Sequence, residues 1–164
     1  MTATPPLLNT DRLVLRAPVM ADFEAYSALM QSDRAVHMGG PFDIEGAWHA
    51  FCHDAAQWLL LGHGALMIEA EGRAVGQVAV NAGPLFPEHE LGWLVYEGAE
   101  GKGYAQEAAL CLKCWARDTL GLRTLVSYVD RDNYRSRSLA ERLGAVLDAD
   151  AARPHPDDLV YRHW

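Results

Sequence analysis

Apolar and polar residues alternate from Thr10 to Arg16, the pattern of a half-buried strand with Leu13 and Leu15 turned inward. Pro18 closes it. Asp22 follows as an N-cap for a helix carrying Phe23, Tyr26, Leu29 and Met30 on one side. Gly39-Gly40-Pro41 breaks the chain. Asp43 then caps a second helix, Ile44 to Leu60, whose Trp48, Phe51, Ala55 and Trp58 fall near helical spacing.

After a turn at Gly62 to Gly64, the pattern predicts a strand from Ala65 to Glu69. The tight turn Glu71-Gly72-Arg73 leads into another from Ala74 to Asn81. A loop with Gly83, Pro84 and Pro87 ends at His89. The stretch Glu90 to Tyr96 reads as a strand, and Gln106 to Leu120 reads as a helix closed by Gly121. Leu122 to Val129 is apolar and β-branched, a central strand. Asp130 to Asn133 turns into a helix, Arg135 to Leu143, closed by Gly144. Val146-Leu147 and Leu159 to Arg162 are candidate final strands, separated by Arg153-Pro154-His155-Pro156. The order predicts an α/β fold in a single domain, 1–164. Its mixed, mostly antiparallel central sheet is flanked by helices, with a strand–turn–helix–strand crossover at the centre.

A length of 164 residues, half of them hydrophobic, suits one core. No apolar run approaches the length of a membrane span. Met1 to Leu8 lacks a basic segment followed by an apolar run, so no secretory signal is expected and the expected location is cytoplasmic. A net charge of −8 argues against nucleic acid as a partner and suits a cationic acceptor. Cys111 and Cys114 have C-x-x-C spacing but fall late in a predicted helix, without a second pair. His49 and His53 lie one turn apart without an acidic partner. No metal site is expected from either.

The stretch with the most chemistry is Glu100-Gly101-Lys102-Gly103-Tyr104-Ala105, between a predicted strand and a predicted helix. Such a turn leaves N–H groups unpaired beside the positive end of the helix dipole, a cradle for phosphate. Its glycines allow close approach of the backbone, and Lys102 adds a cation. The plain alternative is a tight turn with no ligand. The pattern is neither a Walker loop nor a dinucleotide fingerprint.

Farther on stands Asn133-x-x-Ser136-x-x-Leu139-x-x-x-Leu143-Gly144. Together the two stretches resemble motifs A and B of the GCN5-related N-acetyltransferases, the GNAT family, over nearly the whole chain. The opening Thr10 to Arg16 and the ending Leu159 to His163 resemble its Rim-type branch, which includes ribosomal-protein N-terminal acetyltransferases. The resemblance implies a sheet splayed to admit acetyl-CoA, with Glu100 to Ala105 around the pyrophosphate. Gly103 and Ala105 fit the family pattern. Glu100 departs from it, standing where Arg or Gln is usual, and is expected to turn its side chain away.

The main chain of Leu94, Val95 and Tyr96 would pair with the pantetheine arm, and Asn133 would hydrogen-bond it near the thiol. The plain alternative for Asn133 is a helix cap. Glu90 stands where family members often carry a general base; otherwise it is an ordinary polar strand residue. The N–H of Val95 is the candidate oxyanion donor. Ser136 is the candidate hydroxyl for the leaving thiolate, or a helix N-terminal residue packed near the cofactor. Tyr134 lies close by, and Ala140 stands where many relatives have Tyr. The two early helices and Pro84 to His89 would frame the acceptor, with Phe42, Trp48, His37, Asp43 and Glu45 as the variable features. The implied reaction is acetyl transfer to a primary amine, on a small molecule or a peptide N-terminus, by direct attack in a ternary complex. The competing reading is a non-catalytic sensor of CoA or acyl-CoA. Family members often form dimers, so a homodimer is open.

Overall fold

A computed structural model describes residues 4–164. Two short strands open the chain, β1 (Leu8–Asn9) and β2 (Leu13–Arg16). The strand expected from Thr10 to Arg16 is shortened to β2, and β1 precedes it, because Thr10 folds back. Its Oγ1 accepts from the Leu13 N–H at 3.0 Å and donates to Glu107 at 2.6 Å. Helix α1 (Phe23–Met30) follows a 3-10 turn. Asp22 precedes α1 but does not cap it through its side chain. Its buried carboxylate instead accepts from the two terminal guanidinium nitrogens of Arg16, at 2.8 and 2.9 Å, and from the Val19 N–H.

A second 3-10 segment, Asp33–Met38, lies where no element was expected. Helix α2 (Ile44–Leu61) starts as its sequence predicts, with the Asp43 carboxylate accepting from the Gly46 N–H at 2.8 Å. Then come β3 (Ala65–Ala70), β4 (Arg73–Asn81) and β5 (Glu90–Val95). Helix α3 (Tyr104–Asp118) begins two residues before the expected start, so Tyr104 and Ala105 belong to its first turn. Strand β6 (Val126–Asp130) starts later than expected, because Leu122 is drawn back to the Ala116 carbonyl of α3. Helix α4 (Tyr134–Arg142) and strands β7 (Val146–Leu147) and β8 (Asp158–Arg162) complete the chain.

The eight strands form one sheet in the order β1-β2-β3-β4-β5-β6-β8-β7. Every neighbouring pair is antiparallel except β5 and β6. Helices α1 and α2 cover one face, where Tyr26, Met30 and Phe51 pack on Met67, Leu94 and Tyr96. Helix α3 covers the other, with Ala108, Ala109, Leu112 and Ala116 against Leu66, Val78, Val80 and Leu91. The small residues of α3 let the helix sit close to the sheet at the point where β5 delivers the chain into it. Among the described residues no helix is long and apolar enough to cross a membrane.

β4 meets β5 without slack at Gly76. A Cβ there would collide with the Leu94 carbonyl oxygen. Gly76→Ala is therefore expected to destabilise the protein by about 2 kcal/mol, within the usual range for overpacking, as measured by urea unfolding. An unchanged midpoint would show that β5 can shift freely.

Candidate active site

The parallel pair β5–β6 shares a single registered rung, Glu90 opposite Val126. There the Val126 N–H donates to the His89 carbonyl at 3.0 Å, and the Ser127 hydroxyl donates to the Leu91 carbonyl at 2.6 Å. Beyond that rung the strands part. The Tyr96 N–H donates to Val75 of β4 at 2.8 Å, which fixes the alternation along β5. Leu94 and Tyr96 therefore turn their main-chain groups to β4, whereas Trp93 and Val95 turn theirs into the gap. Of the three residues expected to meet a pantetheine arm, Val95 alone has main-chain groups facing the gap. Trp93 joins it, and Tyr128 faces the gap from β6 by the same alternation, set by the His163 N–H on the Leu125 carbonyl. Strand register, which the sequence does not display, decides these two.

The turn after β5 places Gly101 at φ +73° and Gly103 at φ +79°, the left-handed region that favours glycine. Among the described residues, the N–H groups of Gly101, Lys102 and Gly103 donate to nothing. Those of Tyr104, Ala105 and Gln106 open α3 and are free by helix geometry. Together they are a run of unpaired N–H groups at the start of α3, the local geometry on which the expectation of a phosphate cradle rests. Arg12 braces it from outside, with Nη1 on the Lys102 carbonyl, Nε on Glu107 and the guanidinium over the Tyr104 ring.

Glu100, the departure from the expected pattern, is not left unpaired. Arg34, from the unforeseen 3-10 segment, places Nη2 2.7 Å from its carboxylate and 2.9 Å from the Val95 carbonyl. Its own main-chain N–H, and after it the nearby Arg34 charge, hold the Glu100 carboxyl below the usual range against the opposing effect of desolvation. Sequence reading missed Arg34 because it lies 66 positions from Glu100 in a segment without periodic signal.

On the far side of the gap, Asn133 caps α4, its Oδ1 accepting from the Ser136 N–H at 3.2 Å. Its amide nitrogen is not used in the cap. The Ser136 hydroxyl lies 3.3 Å from the indole Nε1 of Trp93, so its oxygen accepts and its proton stays available. Tyr134 points to solvent, 66% exposed, with Arg137 against its ring.

Asn133, Ser136 and Trp93 line a cavity of about 1080 Å³ that extends between the sheet and α1–α2. Glu90 lies in the same cavity, 9% exposed, its carboxylate folded over Gly92, which has no side chain to displace it. Asn81, directly opposite on β4, donates from Nδ2 to Oε2 at 2.7 Å, and Gln57 in turn holds Asn81 at 2.9 Å. Burial pushes the Glu90 carboxyl up to about 7, helped by the charges of Asp54 and Asp158 and opposed by the Asn81 hydrogen bond. The rim is made by two proline-bearing loops, Pro84 with Pro87 and Pro154 with Pro156, and by Phe42 and His37. His37 places Nδ1 3.5 Å from Asp130 at the end of β6. Of the other residues expected to frame the acceptor, Trp48 packs edge-on against Phe23, and Asp43 is the α2 cap.

Residues 12–146 match the family model described as an acetyltransferase (GNAT) domain. An acetyltransferase from Agrobacterium tumefaciens is 54% identical, with a TM-score of 0.94 over 99% of this chain and 96% of that one. A Bordetella pertussis protein described as a GNAT-family acetyltransferase is 28% identical, with a TM-score of 0.75 over 96% and 99%. A Vibrio cholerae structure described as a ribosomal-protein-serine acetyltransferase is 22% identical, with a TM-score of 0.75 over 97% of each chain, and shares the fold.

The raised Glu90 pKa makes a stability prediction. Its contribution is fully present below the unfolded value near 4.5 and is lost as the pH rises through about 7. Glu90→Gln keeps an acceptor for Asn81 and removes the charge. At pH 8 it is expected to be more stable than wild type by about 3 kcal/mol, a gap that closes by pH 4. Urea unfolding at both pH values measures it; an equal gap at both would mean that Glu90 does not titrate in this range.

Proposed function

This chain belongs to the GNAT family of acetyltransferases, and from that premise we propose that it moves the acetyl group of acetyl-CoA to a primary amine, in a ternary complex, with Glu90 as base. The observation that carries this reading is one cavity joining the parted strands to a buried carboxylate. The residues present fit the cofactor. The N–H groups of residues 101–106 suit a pyrophosphate, and the main-chain groups of Trp93 with the Val95 N–H suit the amides of a pantetheine arm. Acetyl-CoA supplies a thioester whose carbonyl carbon takes the amine nitrogen while its C–S bond breaks.

Glu90 takes one proton from the incoming ammonium, since only the free amine attacks. A pKa near 7 lets it be ionised in the working range and still be basic enough to matter. The Val95 N–H, facing the gap, donates to the developing oxyanion. Ser136, its oxygen fixed by Trp93, donates its proton to the departing sulfur and regains one from the amide nitrogen. The sum is an N-acetyl amine, a free thiol and one proton on Glu90 for release to solvent. Asn133 uses its free amide nitrogen toward the thiol end of the arm. We place the chain in the Rim-type branch on its opening and closing motifs, Thr10 to Arg16 and Leu159 to His163, which leaves both small amines and peptide N-termini as acceptors.

Calorimetry is expected to show binding of acetyl-CoA and none of ATP, and thiol release is expected with an amine acceptor. Acetyl-CoA binding without release over a panel of amines and peptides would favour the sensor reading. Below about pH 7, kcat/KM is expected to fall as Glu90 is protonated, and Glu90→Gln is expected to lose both rate and this limb. An unaltered pH profile in the variant would remove Glu90 as base. Arg34 offsets Glu100 beside the cradle, so Arg34→Met is expected to weaken acetyl-CoA roughly tenfold, the scale of one charged hydrogen bond. Adding Glu100→Gln should restore most of it. Equal losses in the single and double variants would show that Arg34 acts independently of Glu100.

A further inference from the structure

We propose that the acceptor is an α,ω-diamine, whose first nitrogen reacts beside Glu90 while its second ammonium group is held by Asp54 and Gln77. The inference rests on the amine-acetyltransferase reading and names its substrate class.

The cavity is one-sided in charge. Asp54, Glu90, Asp130, Asp157 and Asp158 line it, and no lysine or arginine does among the described residues. Asp157 is paired with Arg131, and Asp130 and Asp54 each have a histidine ring nitrogen nearby, His37 at 3.5 Å and His53 at 3.3 Å. Glu90 is the proposed base. Asp158 begins β8 opposite Asp130, and Asp54 of α2 meets Gln77 of β4 in the inner corner, where the buried Gln77 Oε1 is left without a partner among the described residues.

Gln77 is 5% exposed and lines the cavity. Its amide nitrogen donates to Asp54 at 2.7 Å, which fixes the amide's orientation. Its Oε1 then has no hydrogen-bond partner among the described residues. A buried acceptor left unpaired is costly, and only a donor can satisfy it. Asp54 already accepts from Gln77, from Tyr26 at 3.2 Å and from the adjacent His53 at 3.3 Å, which leaves room for one more donor on its two oxygens. An ammonium group brings three donors and a positive charge to this corner. A hydroxyl would bring one donor and no charge, and a carboxylate would bring no donor and a negative charge.

The spacing fixes the length. Along β4 and β5 the pairs Asn81–Glu90, Ala79–Gly92 and Gln77–Leu94 follow one another on the same face. The middle pair carries almost no side chain, so the floor between the two ends is open, and the Glu90 carboxylate leans over Gly92. From that row to Gln77 is two residues of strand, roughly 7 Å, a distance that a chain of about four methylenes spans. Met30 and Phe42 give the methylenes apolar walls.

The test uses the full chain saturated with CoA, titrated by calorimetry with 1,4-diaminobutane, n-butylamine and 4-aminobutyrate. The diamine is expected to bind at least tenfold more tightly than the monoamine, and the amino acid more weakly than either. With acetyl-CoA, thiol release should follow the same order in kcat/KM, with the difference in KM. Asp54→Asn and Gln77→Met are each expected to cut the diamine-to-monoamine ratio severalfold; Gln77→Met, similar in size and apolar, carries the test if Asp54→Asn fails to fold. Equal binding of diamine and monoamine, or a ratio unmoved in the variants, overturns the proposal. Thiol release with monoamines or peptides and no diamine preference overturns it while leaving amine acetylation standing. Selective diamine binding without thiol release upholds the ammonium site and overturns the acetylation reading.

Discussion

The structure depends on a shortage of main-chain hydrogen bonds at its centre. A parallel pair that kept its ladder would fill every N–H and C=O between β5 and β6. Here the ladder stops after Glu90 and Val126, and the main-chain groups of Trp93 and the N–H of Val95 face a gap, while Arg34 takes the Val95 carbonyl. Buried main-chain groups do not go unpaired in stable folds without a reason. The split persists because each strand is fastened on its other side, β5 to β4 over six registered pairs and β6 to β8 over five. The indole of Trp93, reaching Ser136 across the gap, fills part of the space that a ladder would have closed. An extended ligand with its own amides is the natural complement of such an edge.

Electrostatics divide the site into two regions of opposite character. Around the cradle, free N–H groups and the guanidinium of Arg34 favour an anion, and Glu100 is absorbed into that arrangement. Across the sheet, carboxylates dominate and burial raises Glu90 to the point where it holds or releases a proton near neutrality. The net charge of −8 thus hides a local division. Asn81 and Gln57 hold Glu90 in place through neutral amides, which orient the carboxylate without adding the positive charge that would return its pKa to the ordinary range.

Much of this was legible in the sequence where the physics is local. The glycine-bearing turn, the Asp43 cap, the glycines after α2 and α4 and the alternation in the strands each depend on near neighbours, and the element order followed from them. Gly121 does not close α3, which ends at Asp118 with Thr119 as its cap. What depended on distant partners was not legible. Asp22 looked like a cap and became the partner of Arg16, since a buried carboxylate gains more from a guanidinium than from a helix end. Asn133 has a cap role that its position suggested, with its second amide atom left over for a ligand. The choice between Leu94, Val95 and Tyr96 turned on strand register, and Arg34 on a contact between segments far apart. Gln77 carried no signal at all: a single glutamine in a strand has meaning only once its neighbour across the cavity is known.

The proline-bearing loops at the rim bear on conformational entropy. Pro84 and Pro87 stand on one loop, Pro154 and Pro156 on the other, and Arg131 holds the Pro156 carbonyl at 3.1 Å. Fixed φ angles leave these loops little freedom to lose when a molecule passes between them. The four prolines thus lower the conformational entropy these loops have to give up in any one arrangement, so a rim of this composition holds its shape at smaller cost than one of freely turning residues.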